Sequence, residues 1–220
     1  FSVMGVKASV DLDLYDVFSN IKFEGKAKAT NFLGKNSGFD ESLDIAYKGD
    51  LKNIVLGIRE LSVAGNVVKG DVELDLSNKI PFVKGEFASS KIDISSFGKK
   101  EDKVAFGFGL IKEAKATSLA PNEVVPYDVF YVANANVDVK VGQIVDNKGV
   151  LVKDFISNVA LNNGVLEFKI QKAEIADGKL LGGIVLNAKN RQLNVDLNAN
   201  KINLVNLMKV VSSDSKVFSV

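Results

Sequence analysis

Along most of this chain apolar and polar side chains take turns. Over residues 193–199, Leu193, Val195, Leu197 and Ala199 are apolar, while Asn194, Asp196 and Asn198 between them are polar. Successive side chains of a strand point to opposite faces, so the pattern predicts a strand with one dry face and one wet face. The same alternation recurs over 71–76, 137–141 and 166–171, and more loosely over 6–12, 22–30, 43–48, 54–63, 82–87, 104–110 and 150–159.

Turn chemistry punctuates these runs. Ala64-Gly65-Asn66, Ser77-Asn78-Lys79, Asp146-Asn147-Lys148-Gly149, Asn162-Asn163-Gly164, Asp177-Gly178 and Lys189-Asn190 supply residues that tolerate positive φ. Asn163-Gly164 and Asp177-Gly178 are the sharpest hairpin signals. The close spacing of the turns predicts neighbouring strands paired antiparallel as a meander. Helical periodicity is confined to two short stretches. Leu14, Val17, Phe18 and Ile21 follow helical spacing within residues 12–21, and Ile202, Leu204, Val205, Leu207 and Met208 do so within 202–211. The expected fold class is therefore all-β: an extended, curved antiparallel sheet, as a groove or open sandwich, with one or two short capping helices.

The pattern also repeats. Residues 61–74 leading to 91–94 share a layout with residues 173–186 leading to 201–204: Gly70 falls on Gly182, Leu74 on Leu186 and Lys91-Ile92 on Lys201-Ile202, about 110 residues apart. This predicts a first unit over 1–98, a connecting strand and loop over 99–125, and a second unit over 126–211. The two are expected to make one elongated sheet, within a fragment of a longer protein. The run Lys99-Lys100-Glu101-Asp102-Lys103 between them reads as a solvated loop.

Composition narrows the chemistry. Lys and Arg number 28 against 27 Asp and Glu, a net charge of +1, with no dense basic cluster for a phosphate backbone. Cys, His and Trp are absent, which removes the usual transition-metal ligands and Cys- or His-based nucleophiles. No P-loop or G-x-G-x-x-G pattern occurs. Ser89-Ser90-Lys91 offers a hydroxyl near an amine without a further partner. No catalytic residue, metal or cofactor is expected. No apolar run is long enough to cross a bilayer as a helix, and without Trp the aromatic girdles of an outer-membrane barrel are missing.

Val125-Pro126-Tyr127 before Ala135-Asn136-Val137-Asp138-Val139, then Asn162-Asn163-Gly164-Val165-Leu166 and the glycine-bearing run from Ala176 to Leu186, end in Ile202-Asn203-Leu204-Val205-Asn206-Leu207-Met208. This order resembles the C-terminal region of the AsmA family, over about residues 120–210. Asn187 stands where that pattern has an Asp, and Asp75 keeps the Asp in the first unit. The resemblance implies a Gram-negative envelope protein anchored in the inner membrane by an N-terminal helix, with its β body in the periplasm. It further implies a role in outer-membrane biogenesis. AsmA-like proteins, similar to TamB-type and bridge-like lipid-transfer proteins, are expected to conduct phospholipid along an apolar groove.

An apolar face with little helix to cover it needs another cover, since large bare apolar patches are rare on soluble proteins. Acyl chains would serve, at roughly 0.8 kcal/mol per buried CH₂. The candidate lining is Val72, Leu74, Leu76, Val137, Val139, Leu166, Phe168, Ile170, Ile184, Leu186, Leu193, Val195 and Leu197. The bland reading of each is ordinary sandwich core, in a structural or scaffolding β module that assists outer-membrane protein assembly without lipid. The expected partners are phospholipid acyl chains, adjacent segments of the same protein and the inner membrane, and not nucleic acid.

Overall fold

A computed structural model describes residues 2–3, 6–16, 21–32, 40–97 and 127–206. They build one open, curved sheet of twelve strands in which spatial order follows chain order. The strands are β1 (Ser2–Val3), β2 (Val6–Tyr15), β3 (Lys22–Thr30), β4 (Glu41–Asp50), β5 (Asn53–Val63) and β6 (Asn66–Asp75). They continue with β7 (Phe82–Asp93), β8 (Asn134–Asp146), β9 (Gly149–Asn162), β10 (Val165–Ile175), β11 (Gly178–Asn187) and β12 (Gln192–Asn200). Most run several residues past the alternating stretch that predicts them, because ladder hydrogen bonds continue after the side-chain pattern loosens.

Every neighbouring pair is antiparallel except β7 and β8, which run parallel. This departs from the expected meander. A two-residue hairpin can join only antiparallel strands. The chain leaves β7 at Asp93 and re-enters at Asn134, too far along for any hairpin. The sequence run over 104–110, expected as a strand, lies outside the described residues.

The helix expected over 12–21 is corrected. β2 runs through Tyr15, pairing Leu12 with Gly25 and Leu14 with Phe23. Leu14 opens the helical spacing yet also continues the alternation that ends at Leu12, and pairing with β3 decides for the strand. Residues 17–20 lie outside the described set. Of the stretch 202–211, the described part holds one helical turn at residues 204–206, and a 3-10 turn, Ile94–Phe97, follows β7.

Three hairpins turn on two consecutive residues of positive φ, the type I′ arrangement that matches strand twist: Ala64-Gly65 (53° and 78°), Asn163-Gly164 (46° and 82°) and Ala176-Asp177 (48° and 63°). The last replaces the expected Asp177-Gly178 turn. Gly178 instead opens β11, where a Cβ would stand 2.6 Å from the Asn200 carbonyl oxygen and from the Ile202 backbone nitrogen. Alanine in the left-handed region pays a steric penalty that Asn avoids. Ala64→Asn should therefore stabilise the chain by about 1 kcal/mol, seen as a higher urea midpoint with unchanged slope.

Corresponding positions in the two halves do the same work. The Leu76 N–H donates to the Lys52 carbonyl (2.6 Å), and the Ala188 N–H to that of Gly164 (2.8 Å). Asp75 Oδ1 accepts the Ser77 N–H at 2.8 Å, and Asn187 Oδ1 the Lys189 N–H at 3.0 Å. Asp93 Oδ1 accepts the Ser95 N–H and Asn203 Oδ1 the Val205 N–H, each at 3.0 Å, so each half ends in a capped helical turn.

The first half uses carboxylates where the second uses amides, and only carboxylates titrate. The Ser77 N–H holds the Asp75 carboxyl below its ordinary range, and the Ser95 side chain does the same for Asp93. A lowered folded-state pKa contributes stability above the unfolded value, about 4, that is lost as pH falls through the folded value. The chain should accordingly lose stability on acidification below about pH 4. Asp75→Asn combined with Asp93→Asn should flatten that loss, because the amide oxygen still accepts. Urea midpoints measured across the acid range check this.

Candidate functional site

Strand pairing assigns each side chain to a face, because residues directly opposite each other point the same way. Following the register from β2 to β12 gives three unbroken rows on one face. The middle row runs Leu12, Gly25, Tyr47, Leu56, Val72, Gly85, Val137, Val159, Phe168, Ile184 and Val195. Beside it runs Leu14, Phe23, Gly49, Ile54, Leu74, Val83, Ala135, Leu161, Leu166, Leu186 and Leu193. On its other side runs Val10, Ala27, Ile45, Ile58, Gly70, Phe87, Val139, Ser157, Ile170, Gly182 and Leu197. Two hydroxyls stand in the three rows, on Tyr47 and on Ser157, and Ser157 is 1% exposed.

The opposite face is wet. Its row from Asp11 reads Lys26, Ala46, Gly57, Asp71, Glu86, Asp138, Asn158, Lys169, Gly183 and Asp196. Here polar side chains bond one another across strands: Asn158 donates from Nδ2 to Asn136 (2.7 Å) and to Asp138 (2.8 Å), and Lys28 pairs with Asp44 (2.9 Å). These exposed pairs contribute little stability each.

Among the described residues the strands chiefly touch their ladder neighbours. The turn Ile94–Phe97 rests on β8, and the 3-10 turn Tyr127–Tyr131 sets Tyr131 against Gly164 at the hairpin between β9 and β10. Among the described residues the buried apolar side chains are Val63, Val141, Val145, Ala173 and Ala188, none of them in the three rows. Leu193, Val195 and Leu197 are 60, 56 and 50% exposed, and Val10, Leu12 and Leu14 at the other margin are similar. Between the margins, row residues are half-buried, apart from Gly85 and Ser157, which are buried.

Glycines keep parts of the face low. A Cβ on Gly25 would run into the Asp11 carbonyl and the Tyr47 ring, whose hydroxyl donates to that carbonyl at 2.6 Å. Tyr47 thus lies across the glycine and keeps its one polar atom bonded. In β11, Gly182 has φ 130°, and Gly183 faces the Phe168 carbonyl, where a Cβ would come within 2.8 Å. The pair marks close backbone approach, with β11–β12 register uninterrupted. Gly107 and Gly109, which carry the same signal in sequence, lie outside the described residues.

Of the sequence-derived lining, Val72, Leu74, Val137, Val139, Leu166, Phe168, Ile170, Ile184, Leu186, Leu193, Val195 and Leu197 all fall in the three rows. Leu76 does not, standing one residue past the end of β6 with its N–H bonded to Lys52. The face also takes in β2 to β5, contributing Leu12, Phe23, Ile45, Tyr47 and Leu56, which the sequence pattern signals through the same alternation.

Ser89 is engaged, its one hydroxyl proton lying within reach of the carbonyl oxygens of Val67 (2.7 Å) and Lys91 (2.9 Å). Among the described residues no group of three acidic, His or Cys side chains could hold a metal, and no helix is long and apolar enough to cross a membrane. What the arrangement offers chemically is an apolar strip whose two hydroxyls are engaged or buried, Tyr47 bonded to the Asp11 carbonyl and Ser157 1% exposed.

Comparison with known families finds that the model of the AsmA family matches residues 18–219. No curated protein and no solved structure matches the chain.

Proposed function

The chain belongs to the AsmA family, which is envelope-associated, and on that premise we propose that its apolar face binds phospholipid acyl chains and lets them pass along the sheet. The observation that carries this reading is the three rows, apolar or glycine at all but one position, crossing eleven strands with no described element over them. Ten strand spacings of ~4.8 Å make a strip ~48 Å long.

The energetics suit transit. Each methylene moved from water onto the strip gains up to ~0.8 kcal/mol. The gain is spread over aliphatic contacts of similar strength, so no position along the rows holds the chain more firmly than the next. The charged headgroup stays in water beyond the rows. In this reading the segment lies in the periplasm of a Gram-negative cell, inner-membrane anchored through its parent protein, and serves outer-membrane biogenesis. A scaffolding module without lipid would need its own cover for the face.

The test is direct loading. The purified chain is mixed with phosphatidylethanolamine vesicles, separated from them by flotation and examined by native mass spectrometry. Recovery of chain–phospholipid adducts is expected. Recovery of lipid-free chain alone, at lipid in large excess, would sink the proposal.

A further inference from the structure

We infer that the outer edge of β12, which pairs with no described strand, is built to take one more strand, running parallel to it, as β8 runs beside β7. The argument does not use the lipid reading. β6 and β7 pair exactly as β11 and β12 do: Leu74 with Val83 and Leu186 with Leu193, Val72 with Gly85 and Ile184 with Val195, Gly70 with Phe87 and Gly182 with Leu197. The turns that join each pair share one hydrogen bond, and the helical turns that follow β7 and β12 share one cap. β12 is therefore the counterpart of β7, and the edge of β7 is occupied. There the Asn134 N–H donates to the Pro81 carbonyl at 2.8 Å, and β8 continues in parallel register from Phe82↔Asn134 to Asp93↔Val145.

Two further observations mark the β12 edge as an unfinished copy of that junction. The turn after β7 rests on β8, and its Ile94 is 46% exposed. Its counterpart after β12, Leu204, is 71% exposed, with Val205 beside it at 66%. An incoming strand would cover both. Sheet edges that face solvent are commonly guarded by Lys, Pro or a bulge. β12 has neither Lys nor Pro from Gln192 to Asn200, and its ladder is regular throughout. The occupant that fits is a β8-type strand of a further unit of this kind, which would carry the apolar rows onward.

The chain has no Cys, so engineered pairs report the geometry cleanly. In the β7–β8 register Lys84 lies beside Asn136 and Ala88 beside Lys140, and the counterparts of Lys84 and Ala88 are Asn194 and Asn198. Single variants Asn194→Cys and Asn198→Cys are mixed, under a mild diazene oxidant, with synthetic peptides of the β8 sequence carrying Cys at position 136 or 140. Parallel docking predicts disulfides for 194 with 136 and 198 with 140, formed at least about tenfold faster than the crossed combinations. Preference for the crossed combinations, disulfide-linked dimers of the chain in place of peptide adducts, or no rate above that of a scrambled peptide would each overturn the inference. Both substituted positions are exposed on the wet face, and circular dichroism of each variant confirms the fold before mixing.

Discussion

Phe168→Asp should leave the sheet folded and cut phospholipid loading at least about tenfold. Phe168 sits in the middle row between Val159 and Ile184, half-buried by its neighbours and roofed by nothing described. A carboxylate there can reach water in the lipid-free chain, so the cost in stability is that of a lost aromatic contact, about 1–3 kcal/mol. Under an acyl chain the same carboxylate must shed water without gaining a partner. That costs at least a few kcal/mol, and each ~1.4 kcal/mol is tenfold in binding. Lys169→Asp, one residue along on the wet face, should change neither property. Circular dichroism reads the fold and native mass spectrometry the loading. Unfolding of the Phe168 variant would mean a closed core, and unaltered loading of a folded variant would remove the face from lipid binding.

Gly182→Ala should cost about 2–4 kcal/mol, among the largest losses for adding one methyl group to this chain. Gly182 holds φ 130°, a region L-residues rarely enter, and a Cβ would meet the Asp196 carbonyl oxygen and stand 2.8 Å from the Leu197 Cα. Both obstacles are backbone of β12, so no rotamer change relieves them. Relief requires β12 to move away, which breaks the ladder at the sheet margin. Gly57→Ala is the control: its Cβ would find nothing closer than the Asp71 carboxylate at 3.5 Å, and its backbone is ordinary. That variant should lie within about 1 kcal/mol of the parent in urea unfolding. Equal midpoints for the two variants would refute the steric account.

The strands and the membership of the apolar face were legible because both rest on a period of two. Leu166, Phe168 and Ile170 share a side whatever their partners are, and pairing then adds Ile184, Val195 and their neighbours to the same side. What was hidden depended on partners. The parallel step between β7 and β8 leaves no local mark, since strand direction is set by where a distant segment docks. Leu14 fits a helix with Val17 and Phe18 and a strand with Leu12, and only Phe23 across the ladder decides. The Ala176-Asp177 turn was misplaced by one residue because glycine signals two different needs. Gly178 serves the absence of a Cβ, while Ala176 and Asp177 carry the positive φ themselves. Leu76 obeys the alternation of β6 yet falls past its last pair, where the chain already turns. That so much of the face lies open among the described residues belongs to the whole sheet and cannot be seen in any one strand.

Spatial order that follows chain order has a consequence for how such a sheet comes into being. A chain delivered from its N-terminus can lay down strands one after another, each hairpin folding onto the edge completed just before it. Only β8 must wait, since it docks on β7 across a long interval of chain, though the entropy of closing that loop grows only with the logarithm of its length. At every stage the growing body shows a live edge and a bare apolar strip, the two features most prone to misassociation. A sheet built this way shows its surroundings an open edge and an apolar strip throughout its own assembly, so its yield should fall as the concentration of nascent chain rises.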